Sequence, residues 1–196
     1  MLAGMSEKAG VREVTDARVL AMLAHPLRRR LLDVLRVHGP ATASVLAERT
    51  GQRVGNISHH VKALADVGLV GEAPELAKDR RERWWRLVDR SLRWSGEALA
   101  DDPAAEAVAQ AVHSLTLDRH AGYVRAWFAA DDEEREPWRG SSFSMQRWLH
   151  LTPDELREVA AEVSALIERW GERELPDDGA RREPVLVFAY GVPAQP

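Results

Sequence analysis

Between residues 42 and 70 the chain reads TASVLAERTGQRVGNISHHVKALADVGLV, which the periodicity predicts to be two short amphipathic helices joined by a turn at Gly51. Such a pair has few ways to fold, because each helix must bury one apolar stripe. In the second helix Val54, Ile57, Val61, Leu64 and Val67 recur at steps of three and four and are predicted to face inward. Arg53, Gly55, Asn56, Ser58, His59 and Lys62 fall on the opposite side and carry charge, hydrogen-bonding groups or little bulk. The first helix starts at Thr42, a good N-cap after the Gly39-Pro40 break, and turns Val45, Leu46 and Ala47 inward. Gly51 then supplies the left-handed residue that ends it.

Gly68 closes the second helix, and Leu69-Val70 opens a strand pattern that resumes, after a charged loop from 72 to 82, in RWWRLV. There Arg83, Trp85 and Leu87 share one face while Trp84 and Arg86 share the other. The two strands predict a ribbon with a basic tip at Lys78, Arg80 and Arg81. Arg53, Asn56, Ser58, His59 and Lys62 are side chains that meet phosphates and base edges, and a basic ribbon tip suits the backbone or the minor groove. Ordinary helical hairpins also carry a Gly turn and a polar outer face, so the hairpin by itself leaves a purely structural role open.

Residues 20–88 resemble the winged helix-turn-helix domain of ArsR-like bacterial transcriptional repressors. The resemblance is carried by ALAHPLRRRLLDVL, LAERTG, NISHHVKAL, GLV and RWWRL, in that order. Val61 stands where that family usually has Leu, and Trp85 where it has Tyr; both keep the position apolar. The resemblance implies a DNA-binding regulator, a repressor by kind, without enzymatic activity. It also implies a homodimer paired through the helix after the wing, which would set two recognition helices about 34 Å apart on a near-palindromic duplex. Arg53, Gly55, Asn56, Ser58, His59 and Lys62, with Lys78, Arg80, Arg81 and Arg83 of the wing, are the expected DNA contacts.

Charge is divided along the chain. Residues 1–100 hold 17 Lys and Arg against 12 Asp and Glu, whereas residues 101–196 hold 10 against 19. Attraction to a polyanion therefore belongs to the first half. Arginine outnumbers lysine by 24 to 3, a bias that fits a GC-rich genome and is no sign of nucleic-acid binding by itself. There is no cysteine, which excludes disulfides and thiolate metal sites. No run of eighteen apolar residues reads as a membrane span, and MLAGMSEKAG lacks a hydrophobic signal region, so a bacterial cytosol is expected.

The expected fold class is mostly α with a small β-wing: a flexible arm over 1–14, a winged helix-turn-helix domain over 15–100, and a helical dimerisation and effector region over 101–196. A core helix is expected from about Thr15 to Ala24, and a second from Pro26 with Leu27, Leu31, Leu32, Val34 and Leu35 inward. Arg28, Arg29 and Arg30 at its start suit a phosphate contact or a solvated surface equally. Residues 90–99 read as helix. A helical beat then runs from Ala104 to about Ala129 through Val108, Ala111, Val112, Leu115, Tyr123, Ala126 and Trp127, a stripe that needs a partner. An acidic link over 131–136 precedes a stretch without period. Thr152-Pro153-Asp154-Glu155 is a capping box, and its helix carries Leu156, Val159, Ala160, Val163, Ile167 and Trp170. The apolar run over 185–190 reads as a closing strand whose partner the sequence does not choose.

The chain contains no Gly-rich phosphate loop, no nucleophile elbow and no His-Glu-x-x-His helix, and no cofactor is expected. His59 and His60 are adjacent and point about 100° apart on a helix, which separates them as metal ligands. His113, Asp118 and His120 do not share one helical face, although His113 or His120 with a carboxylate of a second subunit would suit a Zn- or Ni-like ion. Trp127, Trp138, Phe143, Met145 and Trp148 are read either as an effector pocket or as plain hydrophobic core. A winged helix that docks on protein instead of DNA is the remaining alternative; it calls for an apolar or acidic outer face on the second helix.

Overall fold

The computed structural model describes residues 11–79, 81–89, 91–93 and 102–195. They divide into two compact units at Ala121 and Gly122. The expected boundary at 100/101 thus moves into the long helix, because Ala105, Ala109 and Val112 of that helix belong to the core of the first unit.

In the first unit β1 (Val11–Glu13) leads to α1 (Ala17–Leu23) and α2 (Pro26–His38). Each helix has a built start. Asp16 accepts from the Arg18 N–H at 2.8 Å, and the His25 Nδ1 accepts from the Leu27 N–H at 3.2 Å, with Pro26 in the first helical position. β2 (Ala41–Thr42) runs directly into α3 (Ala43–Thr50), where the Thr42 hydroxyl accepts from the Val45 N–H at 3.3 Å. Gly51, at φ 66°, ends α3 in the left-handed region, as the sequence requires. α4 (Val54–Asp66) follows and is closed by Gly68 at φ 69°.

Leu20, Leu31, Leu46, Ile57, Val61 and Leu64 are completely buried, so α1 to α4 close around one core. Burying a side chain of this size stabilises by about 1.5–3 kcal/mol. Thr50, one of two buried polar residues described, is satisfied by donating its hydroxyl to the Leu46 carbonyl at 2.6 Å. Val54 departs from its predicted place: it stands 46% exposed, because it opens α4 one turn ahead of the buried Ile57.

β3 (Val70–Glu72) and β4 (Trp84–Leu87) form the antiparallel ribbon, Val70 opposite Leu87 and Glu72 opposite Trp85. β2 joins on the other side of β4, giving the order β2-β4-β3. Trp85 turns into the core and Arg86 outward, the alternation read from RWWRL. Ser91–Arg93 was read as the start of a helix and is instead β5, which pairs in parallel with β1. Three residues give too little sequence for a helical beat to be told from a strand, and the partner lies far away in sequence. The same pairing takes residues 11–13 out of the arm; residues 1–10 and 94–99 lie outside the described ones. Arg12 fixes this edge by donating to the Gly68 carbonyl at 2.9 Å.

α5 (Pro103–Ala129) begins on Asp102, whose carboxylate accepts from the Ala104 and Ala105 N–H groups. Arg119 of α5 pairs with Asp33 of α2, which fastens the helix to the first unit. Beyond Val112 the stripe opens: Leu115 and Leu117 are about half exposed.

In the second unit the link over 131–136 is more ordered than expected. Asp131 caps α6 (Asp132–Arg135) by accepting from the Glu134 N–H at 2.8 Å, and a 3-10 turn follows at Glu136–Trp138. α7 (Pro153–Glu172) opens with the predicted capping box of Thr152 and Glu155. Residues 185–190, predicted as a strand, join no sheet among the described residues. No described residue from 122 to 195 is buried, so the aromatic side chains of this unit form no core among the described residues.

Candidate nucleic-acid interface

α4 divides into two faces as the spacing requires. Ile57, His60, Val61 and Leu64 are buried, while Arg53, Gly55, Asn56, Ser58, His59 and Lys62 are all exposed. Exposed polar groups on a helix held by α2 and α3 form a ridge that a groove of matching width accepts without rearrangement. The Asn56 amide donates to the Gln52 carbonyl oxygen at 3.2 Å. Gln52, exposed and one turn before Asn56, is a member of this ridge that the sequence reading missed; its spacing of four from Asn56 was the available signal.

The start of α4 differs from those of α1, α2, α3 and α7. Its N-cap is Arg53, which makes no side-chain hydrogen bond to the helix. The first-turn amides of a helix have no intrahelical acceptor and carry its positive dipole end. Here they follow directly on Arg53, an exposed residue whose side chain does not cap them, an arrangement suited to an anionic oxygen.

His60 packs under the ridge. Its ring lies 4.6 Å from that of His25 and 5.4 Å from that of His59, and its Nδ1 is buried without a hydrogen-bond partner. Burial first, then the charges of His25, Arg28 and His59, push its pKa below the ordinary histidine value. His60 is therefore neutral at neutral pH and belongs to the support of α4.

The ribbon tip is less basic than expected. Lys78 and Arg81 are exposed, but the backbone around them folds onto carboxylates: the Lys78 N–H donates to Glu82 at 2.8 Å and the Arg81 N–H to Asp79 at 2.7 Å. Arg83 pairs with Glu72 at 3.8 Å, and Arg86 with Glu75 at 2.7 Å. The interleaved acids lower the local field, a correction to the basic tip drawn from Lys78, Arg80 and Arg81 alone; Arg80 lies outside the described residues. Of the arginines at the start of α2, Arg30 is exposed and reaches the Arg49 carbonyl at 3.5 Å, whereas Arg28 is half-buried against the Met22 sulfur.

Elsewhere the structure separates what the sequence grouped. In the second unit Trp127 and Trp138 line one hollow of about 290 Å³ with Phe128, Arg135 and Arg139. Phe143, Met145 and Trp148 form no part of its wall and stand 56–86% exposed. Its volume lies at the lower end of small-molecule sites, which run from about 300 to 1,000 Å³. His113 is exposed and His120 half-buried on α5, and among the described residues no group of three His, Cys, Asp or Glu is placed to hold a metal ion. Among them, too, no helix is long and apolar enough to cross a membrane.

Residues 23–71 match the family model of a helix-turn-helix domain, which takes in α2 to β3 and with them the whole ridge. No curated protein matches the chain. Among solved structures the chain is similar to residues 1–100 of a possible transcriptional regulatory protein from Mycobacterium bovis, with 22% identity over 54% of this chain and 91% of that one, at a TM-score of 0.35. It is also similar to the homodimeric winged helix-turn-helix DNA-binding domain of a possible ArsR-family regulator from Mycobacterium bovis, with 22% identity over 54% and 79% and a TM-score of 0.34. RV1404 of Mycobacterium tuberculosis has 18% identity over 80% and 84% and a TM-score of 0.32. At scores this low the likenesses are loose. The sequence match and the chain's own α3, α4, β3 and β4 agree on one statement: this protein carries a winged helix-turn-helix domain.

Proposed function

We propose that the protein is a sequence-specific DNA-binding transcriptional regulator that acts as a homodimer, with α4 in the major groove of a near-palindromic duplex. The observation that carries this reading is the exposed ridge of α4, polar along its length and opposed by a fully buried stripe. Asn56, Ser58 and His59 approach base edges, and Arg53 and Lys62 meet phosphates on either side. Lys78, Arg81 and Arg83 contact the backbone from the ribbon, more weakly than a purely basic tip would because Glu72, Asp79 and Glu82 stand among them. The first-turn amides of α4 receive one phosphate oxygen. A protein-docking winged helix needs an apolar or acidic ridge, and this one is neither. Repression, which the ArsR-like resemblance implies, follows when the bound dimer covers a promoter. The hollow beside Trp127 and Trp138 is the place for a small effector.

Selection of duplexes from a random pool, followed by fluorescence anisotropy across a salt series, tests the proposal. The expected result is an enriched inverted repeat and, for about six phosphates neutralised, a slope of log affinity against log salt near −5. Enrichment of no sequence, with equal affinity for all duplexes, overturns it.

A further inference from the structure

The C-terminal unit has apolar residues but no core. From residue 122 to 195 nothing described is buried, yet α7 carries Leu156, Val159, Val163, Ile167 and Trp170 at helical steps. The run after α7 is apolar as well. Val185, Leu186 and Val187 are 47–62% exposed and join no sheet among the described residues. The chain just past the run meets the helix, since a Cβ added at Gly191 would come within 3.1 Å of Leu156 Cδ1. A helix with an open stripe, backed by an apolar run of high β propensity, is half of a two-layer structure.

We propose that residues 185–189 pair with the same residues of a second copy, antiparallel about a two-fold axis, and that this pairing gives the C-terminal unit its core. The inference rests on the homodimer reading and says where in the chain part of that dimer is made.

Three observations favour a second copy over a foreign partner. From Pro184 to Pro196 there is no charged side chain, so two copies brought face to face meet no like-charge repulsion and a foreign protein finds no ionic handle. An antiparallel pair about a dyad needs no complementary sequence, because each strand presents the same donors and acceptors to the other. The open apolar surface points the same way. Val159, Ile167 and Trp170 of α7 and Val185, Leu186, Val187 and Val192 after it are 37–70% exposed. They leave on the order of several hundred Å² of apolar surface open, the scale of the roughly 800 Å² per partner in a standard interface.

Because the chain has no cysteine, one introduced thiol reads one position. Val185→Cys, Leu186→Cys, Val187→Cys and Ala189→Cys are made singly in the full chain and mildly oxidised, with Glu162→Cys, exposed on α7, as the collision control. Opposed Cα atoms in an antiparallel pair are about 4.5–5.5 Å apart, within disulfide reach, whereas copies of a residue two places from the axis are separated by about four residues of strand and cannot bridge. The expected result is a dimer by sedimentation and a disulfide-linked dimer at Val187→Cys well above the control, with little at positions 185 and 189. A sedimenting dimer with no position above the control overturns this inference and leaves the homodimer reading standing. A monomer overturns both, and a monomer whose amides at 185–187 resist hydrogen exchange assigns the run to its own chain.

Discussion

Lys62 and Leu64 are two residues apart on α4 and differ fully in burial, which makes them a sharp test of how the helix is presented. Leu64 is wholly buried among α2, α3 and α4, and its truncation to Ala removes three carbon atoms from a packed core. The loss of transfer free energy together with the cavity comes to about 2–5 kcal/mol. For a domain of about 100 residues each kcal/mol moves Tm by roughly 4–8 °C, so Leu64→Ala is expected to lower Tm by ten degrees or more while leaving m in denaturant unchanged. Lys62 is exposed on α4. Lys62→Ala is expected to hold stability within about 0.5 kcal/mol. It should instead reduce the salt slope of DNA binding by about one unit for each phosphate lost, on every sequence alike. Scanning calorimetry and anisotropy on the same preparations read both quantities. If Lys62→Ala unfolds the protein as readily as Leu64→Ala, or leaves affinity and salt slope untouched, α4 is not presented as described and the DNA-reading assignment fails with it.

Asn56→Ala and His59→Ala are each expected to relax discrimination by about 1–3 kcal/mol at one base pair, with affinity for other sequences held, which competition gel shifts against single-substituted operators would resolve. His60 predicts a pH dependence of stability. Its folded pKa lies below the unfolded value of about 6.5, so the unfolded state binds more protons as pH falls, and stability present above about 6.5 is lost below it, by at most about 1.4 kcal/mol per pH unit. His120, also depressed by burial and by Arg119 and Arg29 against the pull of Asp33, adds to the same slope; urea titrations from pH 8 to 5 should therefore show His60→Gln flattening the curve in part. Gly51→Ala places a side chain at φ 66° and is expected to destabilise by about 1–2 kcal/mol in chemical unfolding, although nothing stands within 4 Å of the new methyl.

The winged helix-turn-helix half was legible in the sequence because its signals were local. Thr42, Gly51 and Gly68 mark helix ends through backbone geometry that each residue type sets for itself, and Ile57, Val61 and Leu64 repeat often enough to fix a face. The ribbon was legible for the same reason, since Trp85 and Arg86 alternate beside a strong turn region. Where partners lie far apart in sequence the reading failed. Nothing in Ser91–Arg93 announces β1 as its neighbour, and the burial of Ala105, Ala109 and Val112 that moves the domain boundary depends on helices packed from elsewhere. The tip reads as basic from Lys78, Arg80 and Arg81 because a count of cations does not show that Asp79 and Glu82 fold back onto the backbone of Arg81 and Lys78. Aromatic residues from 127 to 148 suggested enclosure; the described residues of the chain do not bury them.

The missing side-chain cap on α4 has a consequence for motion. A good N-cap is worth about 1 kcal/mol, and without one the first turn, residues 54–56, frays more readily than the turns behind it. That turn carries Gly55 and Asn56, so on the proposed function the leading edge of α4 would be loose until an anion seats on it. Docking would then tighten the edge, and part of the free energy of contact would go into ordering that a wrong sequence, held at a slightly different depth, fails to recover. Amide exchange of residues 54–56 should slow on the cognate duplex more than on a random one.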